Sequence, residues 1–234
     1  CPMIPWVSKR TVLRTLSLAG EVVARSPVLI GERGDPYLTP YQVVAMRDPS
    51  GAPLIPGSSW KGVFRSAGER ICASMGIKTC RATAGKTCLD GLNDEIAKRS
   101  TDRNQMLDFL WNRTCINCKL YGAPHLSSSV TFYDSIGING RYSFGGRTTI
   151  MVDRMSGAVL GNKVVKTEYV RPGSAFAFSL RAVNLPNYAI GYLIQTMDYL
   201  NQGLFLVGRN KSRGFGQIGF QRLRLSLEGT SVSE

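Results

Sequence analysis

Two stretches of this 234-residue sequence hold residues whose types and spacing suit chemistry. The first is rich in cysteine: "CRATAGKTC" carries Cys80 and Cys88, and "CINC" carries Cys115 and Cys118. A C-x-x-C pair lets two thiolates share one tetrahedral ion, and the upstream pair completes a four-thiolate set. All four lie between Lys78 and about His125, a polar stretch with little apolar patterning of its own. Structural zinc would supply folding energy that such a segment lacks. The same spacing also serves a redox dithiol or thiols without metal. Cys72 reads as a buried thiol on a helix, and His125, the sole histidine, is a possible ligand, though seven positions after Cys118 it reads first as incidental.

The second stretch is "GRNKSRGFGQIG", Gly208 to Gly219. Its G-x-G-x-x-G would mark a dinucleotide loop only if a strand preceded it and a helix opened at it. Here Ile218 begins an alternating, strand-like run instead. "GLFLVGR" imitates a phosphate loop but has Arg209 where lysine must stand. What remains is a glycine-permitted turn carrying Arg209, Lys211, Ser212 and Arg213. Such a turn exposes backbone N–H groups to an anion, while its cations attract phosphate without regard to base sequence. A plain solvated turn between strands is the competing reading.

A further anion site is expected at "PGSSWKG". Free N–H groups and the positive end of a helix dipole would meet Ser58 and Ser59 there, with Lys61 and Arg65 one turn apart on a face away from the core. Helix capping by Ser58 or Ser59 explains the serines equally well. Catalytic constellations are thin. A single histidine excludes histidine-pair acid–base chemistry, H-E-x-x-H and G-x-S-x-G are absent, and Asp35, Asp48, Asp134 and Asp153 are scattered.

These residues need a scaffold. Twenty-nine Lys and Arg against 16 Asp and Glu give +13, which favours a polyanionic partner. No apolar run approaches the roughly 18 residues of a membrane span, and the start has no signal-peptide pattern, so a cytoplasmic protein is expected. The patterning predicts a long strand within Thr11–Gly31 and a helix from Ser58 to Gly76 with Trp60, Val63, Phe64, Ala67, Ile71 and Met75 inward. It also predicts strands at "SVTFYDS" and Ala175–Val183, and two arms around glycine-containing turns between Arg147 and Gly173. A second helix near 188–203 would bury Ile190, Leu193, Ile194, Met197 and Leu200. A short buried strand is expected at "GLFLVG" and a last strand at "IGFQRLRLSLEG". The order strand, helix, strand, strand, helix, strand is ferredoxin-like in outline, an α+β fold.

Taken in order, "LIPGSSWKGVFR", "CINCKLYG", "IMVDRMSGAVLGNKVVKTEYVRPGSAFAF" and "LVGRNKSRGFGQI" resemble the RAMP superfamily, and most closely the backbone subunit of type III CRISPR effector complexes. The resemblance spans Leu54 to Ile218. It implies one RAMP domain over 1–234 with an RRM-like core, a zinc-binding insertion at about 78–125 and a β-hairpin thumb at about 151–173. It further implies a CRISPR RNA held by the helix at Ser58 and the loop at Lys211, target RNA beside it, and other RAMP subunits, including further copies of this chain, as partners. The thumb would carry Arg154, with Val164 and Val165 near its tip as an apolar wedge between bases. Active members carry an aspartate before "IPGSS"; here Gln42 stands at that position. Glutamine is no carboxylate base or metal ligand, so binding is favoured over cutting. Asp35 is the substitute for a Mg²⁺-dependent endoribonuclease. A guide-processing ribonuclease is disfavoured by the lone histidine.

Overall fold

The computed structural model describes residues 4–9, 11–35, 37–81 and 87–230. The chain opens with a short helix, α1 (Ile4–Ser8), and the strand β1 (Arg14–Ala24), then β2 (Gly31–Arg33), β3 (Val43–Ala45) and β4 (Leu54–Ile55). The long helix α2 (Gly57–Ser74) follows. Next come α3 (Asn93–Arg99), α4 (Arg103–Arg113) and α5 (Ile116–Tyr121) within the cysteine-bearing insertion. After β5 (Val130–Phe132), β6 (Ser135–Ile136), β7 (Phe144–Val152), β8 (Val159–Val170) and β9 (Ala175–Val183), helix α6 (Asn187–Asn201) and strand β10 (Ile218–Gly229) complete the order.

The mixed α+β architecture rests on two antiparallel-dominated sheets. One runs β10-β1-β9-β5, wholly antiparallel between neighbours, and the other runs β2-β3-β8-β7. β1 alternates buried and open residues, so Leu16, Leu18 and Val22 enter the core. The core face of this sheet meets α2 and α6. Trp60 and Phe64 of α2 pack on Phe178 of β9 and Phe220 of β10, with ring centroids 5.2 Å apart for Trp60–Phe178 and 4.9 Å for Phe178–Phe220. The indole N–H of Trp60 donates to Ser135 at 2.9 Å.

Most expected elements are present, with informative departures. Ile194 is 48% exposed, whereas Thr196 is fully buried and donates its hydroxyl to the Tyr192 carbonyl at 2.8 Å. The buried arc of α6 is Ala189, Leu193, Thr196, Met197 and Leu200, spaced by three and four residues, and Ile194 lies off it. Met75 is likewise exposed, at the end of α2. "GLFLVG" is no strand: Gly203 and Gly208 both take positive φ, and the chain curls back so that Leu204 N–H donates to Tyr199 O. The two arms form one hairpin, β7–β8, pairing Phe144 with Val170 and extending further toward the N-terminus than 151. No helix among the described residues is long and apolar enough to cross a membrane.

Candidate nucleic-acid groove and cysteine cluster

The basic loop is pinned by its glycines. Gly208 has φ 83°, and a Cβ there would stand 2.3 Å from the Leu29 carbonyl oxygen. Gly216 has φ 95°, and a Cβ would meet the Val207 carbonyl oxygen at 2.1 Å. Only glycine fits either place. The backbone then closes on itself: Arg209 N–H donates to Leu29 O, Val207 N–H to Gly216 O, and Gly216 N–H to Pro27 O, each at 2.8 Å. Between these clamps Lys211, Ser212 and Arg213 form one turn of 3₁₀-helix, entered through left-handed Asn210. All three side chains are exposed.

That turn stands against the first half of α2. A cleft of about 450 Å³ separates them, lined by Ser58, Ser59, Gly62 and Ser66 on one side and Arg209 and Lys211 on the other. A second hollow of about 240 Å³ shares Val63, Ser66 and Lys211 and adds Arg70, so the groove continues along the helix. On the far side of the loop, Arg209 and Arg213 border a third hollow of about 490 Å³, whose apolar wall includes Ile150 and Val165 of the hairpin. The loop is thus a cationic ridge between helix and hairpin. Sequence reasoning alone misses Gly62, Ser66 and Arg70. Their i, i+4, i+8 spacing on α2, read beside Ser58 and Ser59, is the signal that marks them.

The start of α2 is built differently from the expected serine cap. The N-cap is Pro56, with no side-chain cap bond, and the Gly57 N–H donates to Asp134 Oδ1 at 2.8 Å. Ser59 and Trp60 N–H groups both donate to Pro56 O. The helix end is therefore largely satisfied from within. Anion binding in the groove falls to the hydroxyls of Ser58, Ser59 and Ser66 and to the cations. Lys61 is half-buried, and burial first, then the neighbouring Arg65 charge, holds its ammonium below the usual lysine range. Lys9 lies close enough to Lys61 to share this effect. Burial, then Lys61, lowers it to about 8.

Arg65, one turn on from Lys61, is taken up by the cysteine segment. Its guanidinium Nη2 approaches Cys118 Sγ at 3.4 Å and Cys80 Sγ at 3.9 Å, and Nη1 donates to the Gly122 carbonyl at 2.7 Å. The structure brings Cys80, Cys88, Cys115 and Cys118 together, with all four Sγ atoms within 4.8 Å of one another. Cys115 caps the N-terminus of α5 and Cys118 falls in its first turn, so three residues of helix bring both sulfurs to one side. The Cys80 sulfur lies 3.6 Å from Cys115 and 3.2 Å from Cys118. Four sulfurs about 2.3 Å from a tetrahedral zinc would stand about 3.8 Å apart, so these separations fit a metal and exceed any disulfide. A hydrogen bond from Cys118 holds the Cys115 thiol down, to about 4, and pushes Cys118 up. Burial raises Cys88 to about 11. His125 bonds Asn93 at 2.9 Å and stays outside the cluster. Cys72 is fully buried, its sulfur 3.3 Å from the Tyr192 hydroxyl.

The hairpin apex is the turn Asp153–Ala158. Asp153 accepts from Met155 N–H at 3.1 Å and Ser156 Oγ at 2.7 Å, which holds its carboxyl below the usual range. Arg154 is exposed on that turn, and Met155 is 97% exposed. Val164 and Val165 are not at the tip. They pair with Ile150 and Thr149 midway down the hairpin, both partly exposed. Gln42 sits beside the hairpin shaft, where its Oε1 accepts from Lys166 N–H at 2.6 Å. Asp35 is exposed in a neighbouring turn, its carboxylate accepting from Tyr37 N–H at 2.9 Å. Among the described residues, the four cysteines form the one group of three or more His, Cys, Asp or Glu side chains able to hold a metal, and Asp35 is not in it.

A model of the RAMP superfamily matches residues 22–219. Among solved structures, the chain is similar to one described as the cryo-EM structure of the type III-B Cmr-beta bound to cognate target RNA, with a TM-score of 0.58 and 15% identity. That match covers 91% of this chain and 61% of the other, so this chain spans under two thirds of that protein's length. A search of curated proteins finds no match.

Proposed function

The chain belongs to the RAMP superfamily, and we propose that it is an RNA-binding backbone subunit of a type III, Csm- or Cmr-like, CRISPR antiviral ribonucleoprotein. In this reading it holds CRISPR RNA and positions target RNA beside other RAMP subunits in the cytoplasm. The observation that carries it is the groove along α2, walled by Ser58, Ser59 and Ser66 and closed by Arg209 and Lys211. Hydroxyls and cations facing each other across a narrow cleft suit a phosphodiester backbone. The sheet order β10-β1-β9-β5, with α2 after its first strand and α6 before its last, supports a ferredoxin-like, RRM-like core. Zinc in the cysteine cluster would act as a structural ion, cross-linking the segment after α2 to α5. The β7–β8 hairpin is the thumb, with its apex at Arg154 and Met155 and with Val164 and Val165 on its shaft.

The test is single-stranded RNA binding by the full chain across a salt series. Lys211→Ala with Arg213→Ala should weaken binding and flatten the slope of log K against log salt by about 1.4, at roughly 0.7 for each phosphate no longer neutralised. An unchanged slope refutes this loop as the phosphate grip.

A second reading, a Mg²⁺-dependent endoribonuclease, is supported by one observation. Asp35 is exposed one residue after Gly34, whose N–H donates to Gln42 O beside the hairpin shaft. Incubating the assembled complex with labelled target RNA and Mg²⁺ decides it. Cleavage that disappears in Asp35→Ala supports the nuclease, and cleavage unaltered removes Asp35 from the chemistry.

A further inference from the structure

Arg65 is the side chain whose surroundings a groove on RNA does not explain. Only 13% of its side chain is exposed, and it reaches the end of α5 and the cysteine sulfurs. Its three contacts divide by direction. Nη1 donates to the Gly122 carbonyl at the end of α5 at 2.7 Å, Nη2 faces the Cys118 and Cys80 sulfurs, and Nε lies 3.5 Å from Glu69 on its own helix.

Charge explains why a cation stands there. Four thiolates around a divalent ion carry a net charge of −2. Burying that charge without compensation costs several kcal/mol, so a centre of this kind needs cations or N–H donors beside its sulfurs. The Cys80 and Cys118 side is met by Arg65. On the Cys115 and Cys88 side stands Lys119, whose ammonium feels both sulfurs and rests 3.6 Å from the Trp111 ring centroid. The Cys115 N–H adds a donor to Cys88 Sγ at 3.4 Å.

We propose that Arg65 is a positioning residue of the metal centre, compensating the Cys80 and Cys118 thiolates while its second arm on Gly122 fixes α2 against α5. This rests on the metal reading of the cysteine cluster. It goes beyond that reading by moving Arg65 from the RNA groove to the metal and by making the metal a determinant of where α2 lies. Since α2 also carries the groove's serines, the two sites share one rigid element.

The experiment is cobalt titration of the full chain, followed by its visible and near-ultraviolet spectrum, in wild type, Arg65→Ala, Arg65→Gln and Lys61→Ala. Arg65→Ala should weaken cobalt affinity by about 10–100-fold, the usual scale for outer partners of metal ligands. It should also move the sulfur-to-cobalt charge-transfer band to lower energy, because sulfurs stripped of a neighbouring cation give up electrons more easily. Arg65→Gln, close in shape but uncharged, should shift the band in the same direction, and it keeps the test decisive if the alanine variant fails to fold. Lys61→Ala should leave both readouts at wild-type values. Wild-type affinity and an unmoved band in both Arg65 variants overturn the proposal. So does RNA affinity that falls in Arg65→Gln while its cobalt readouts stay unchanged. If wild-type protein itself gives no sulfur-to-cobalt band, the metal reading fails, and the role of Arg65 falls with it.

Discussion

Around the four-stranded sheet, Trp60, Phe64, Phe178 and Phe220 interlock with Leu18, Val22, Leu193 and Met197 in one continuous core. In the insertion a smaller cluster gathers Leu89, Leu107, Leu110 and Leu126, joined by Val7 from the N-terminal helix. The first region has enough apolar surface to fold by burial, at roughly 25 cal/mol for each Å² removed from water. The second has a smaller cluster and four converging sulfurs, where a metal cross-link would supply what the core does not. In the proposed reading, one chain thus combines a hydrophobically folded platform with a segment whose order depends on an ion.

Breaking the cross-link should have the largest effect. Cys115→Ser, or chelation of wild type, should strip hydrogen-exchange protection from α3 and α4 while β1 and β9 keep theirs. Structural zinc is worth about 10–16 kcal/mol in peptides that fold around it, far more than the insertion's own leucines supply. Equal protection in both regions after chelation would refute the contrast. The titration of the cluster sharpens it. With Cys88 pushed up to about 11 and Cys118 raised as well, both thiols are protonated at pH 7 without metal, whereas Cys115, near 4, is already a thiolate. Metal entry must expel the Cys88 and Cys118 protons, so affinity falls as pH falls. Proton release in a weakly buffered titration measures this.

Phe64→Ala attacks the other region. Its ring sits 4.8 Å from Phe132, fully buried, and its removal should cost about 3–5 kcal/mol. For a chain of this size that is roughly 6–20 °C in Tm, with metal stoichiometry unchanged. Gly216→Ala comes next, at about 1–3 kcal/mol for a strained left-handed site. The loop's shift should also lower RNA affinity, and an unaltered Kd would show the loop's backbone to be immaterial. Arg154→Ala at the hairpin apex should be smallest, within about 0.5 kcal/mol by thermal denaturation.

The sheet is readable in the sequence because its signals are local. β9 occupies the expected Ala175–Val183, and α2 follows its apolar stripe from Trp60 to Ile71. The four cysteines are readable because ligand spacing is itself a sequence pattern. What sequence misses is direction. Lys61 and Arg65 are four apart on one helix, yet only the packing of α5 decides that Arg65 turns to sulfur. "GLFLVG" has strand-like composition, but glycines with positive φ at both ends curl it. Val164 and Val165 lie on the shaft instead of the tip, because sequence shows that a hairpin turns without showing where. Ser58 and Ser59 look like caps until Asp134, 77 residues away, takes the Gly57 N–H.

The central position of β1 has a consequence for synthesis. Its two neighbours, β9 and β10, begin at Ala175 and Ile218, so no partner for Arg14–Ala24 exists until roughly 150 residues later. At about 5–20 residues per second, the ribosome leaves that strand unpaired for roughly 8–30 s. During that interval Leu16, Leu18 and Val22 face water, and the cysteine segment emerges before the sheet it sits on. A nascent chain of this design spends much of its birth as a substrate for chaperones, and metal is within its reach before its platform has closed.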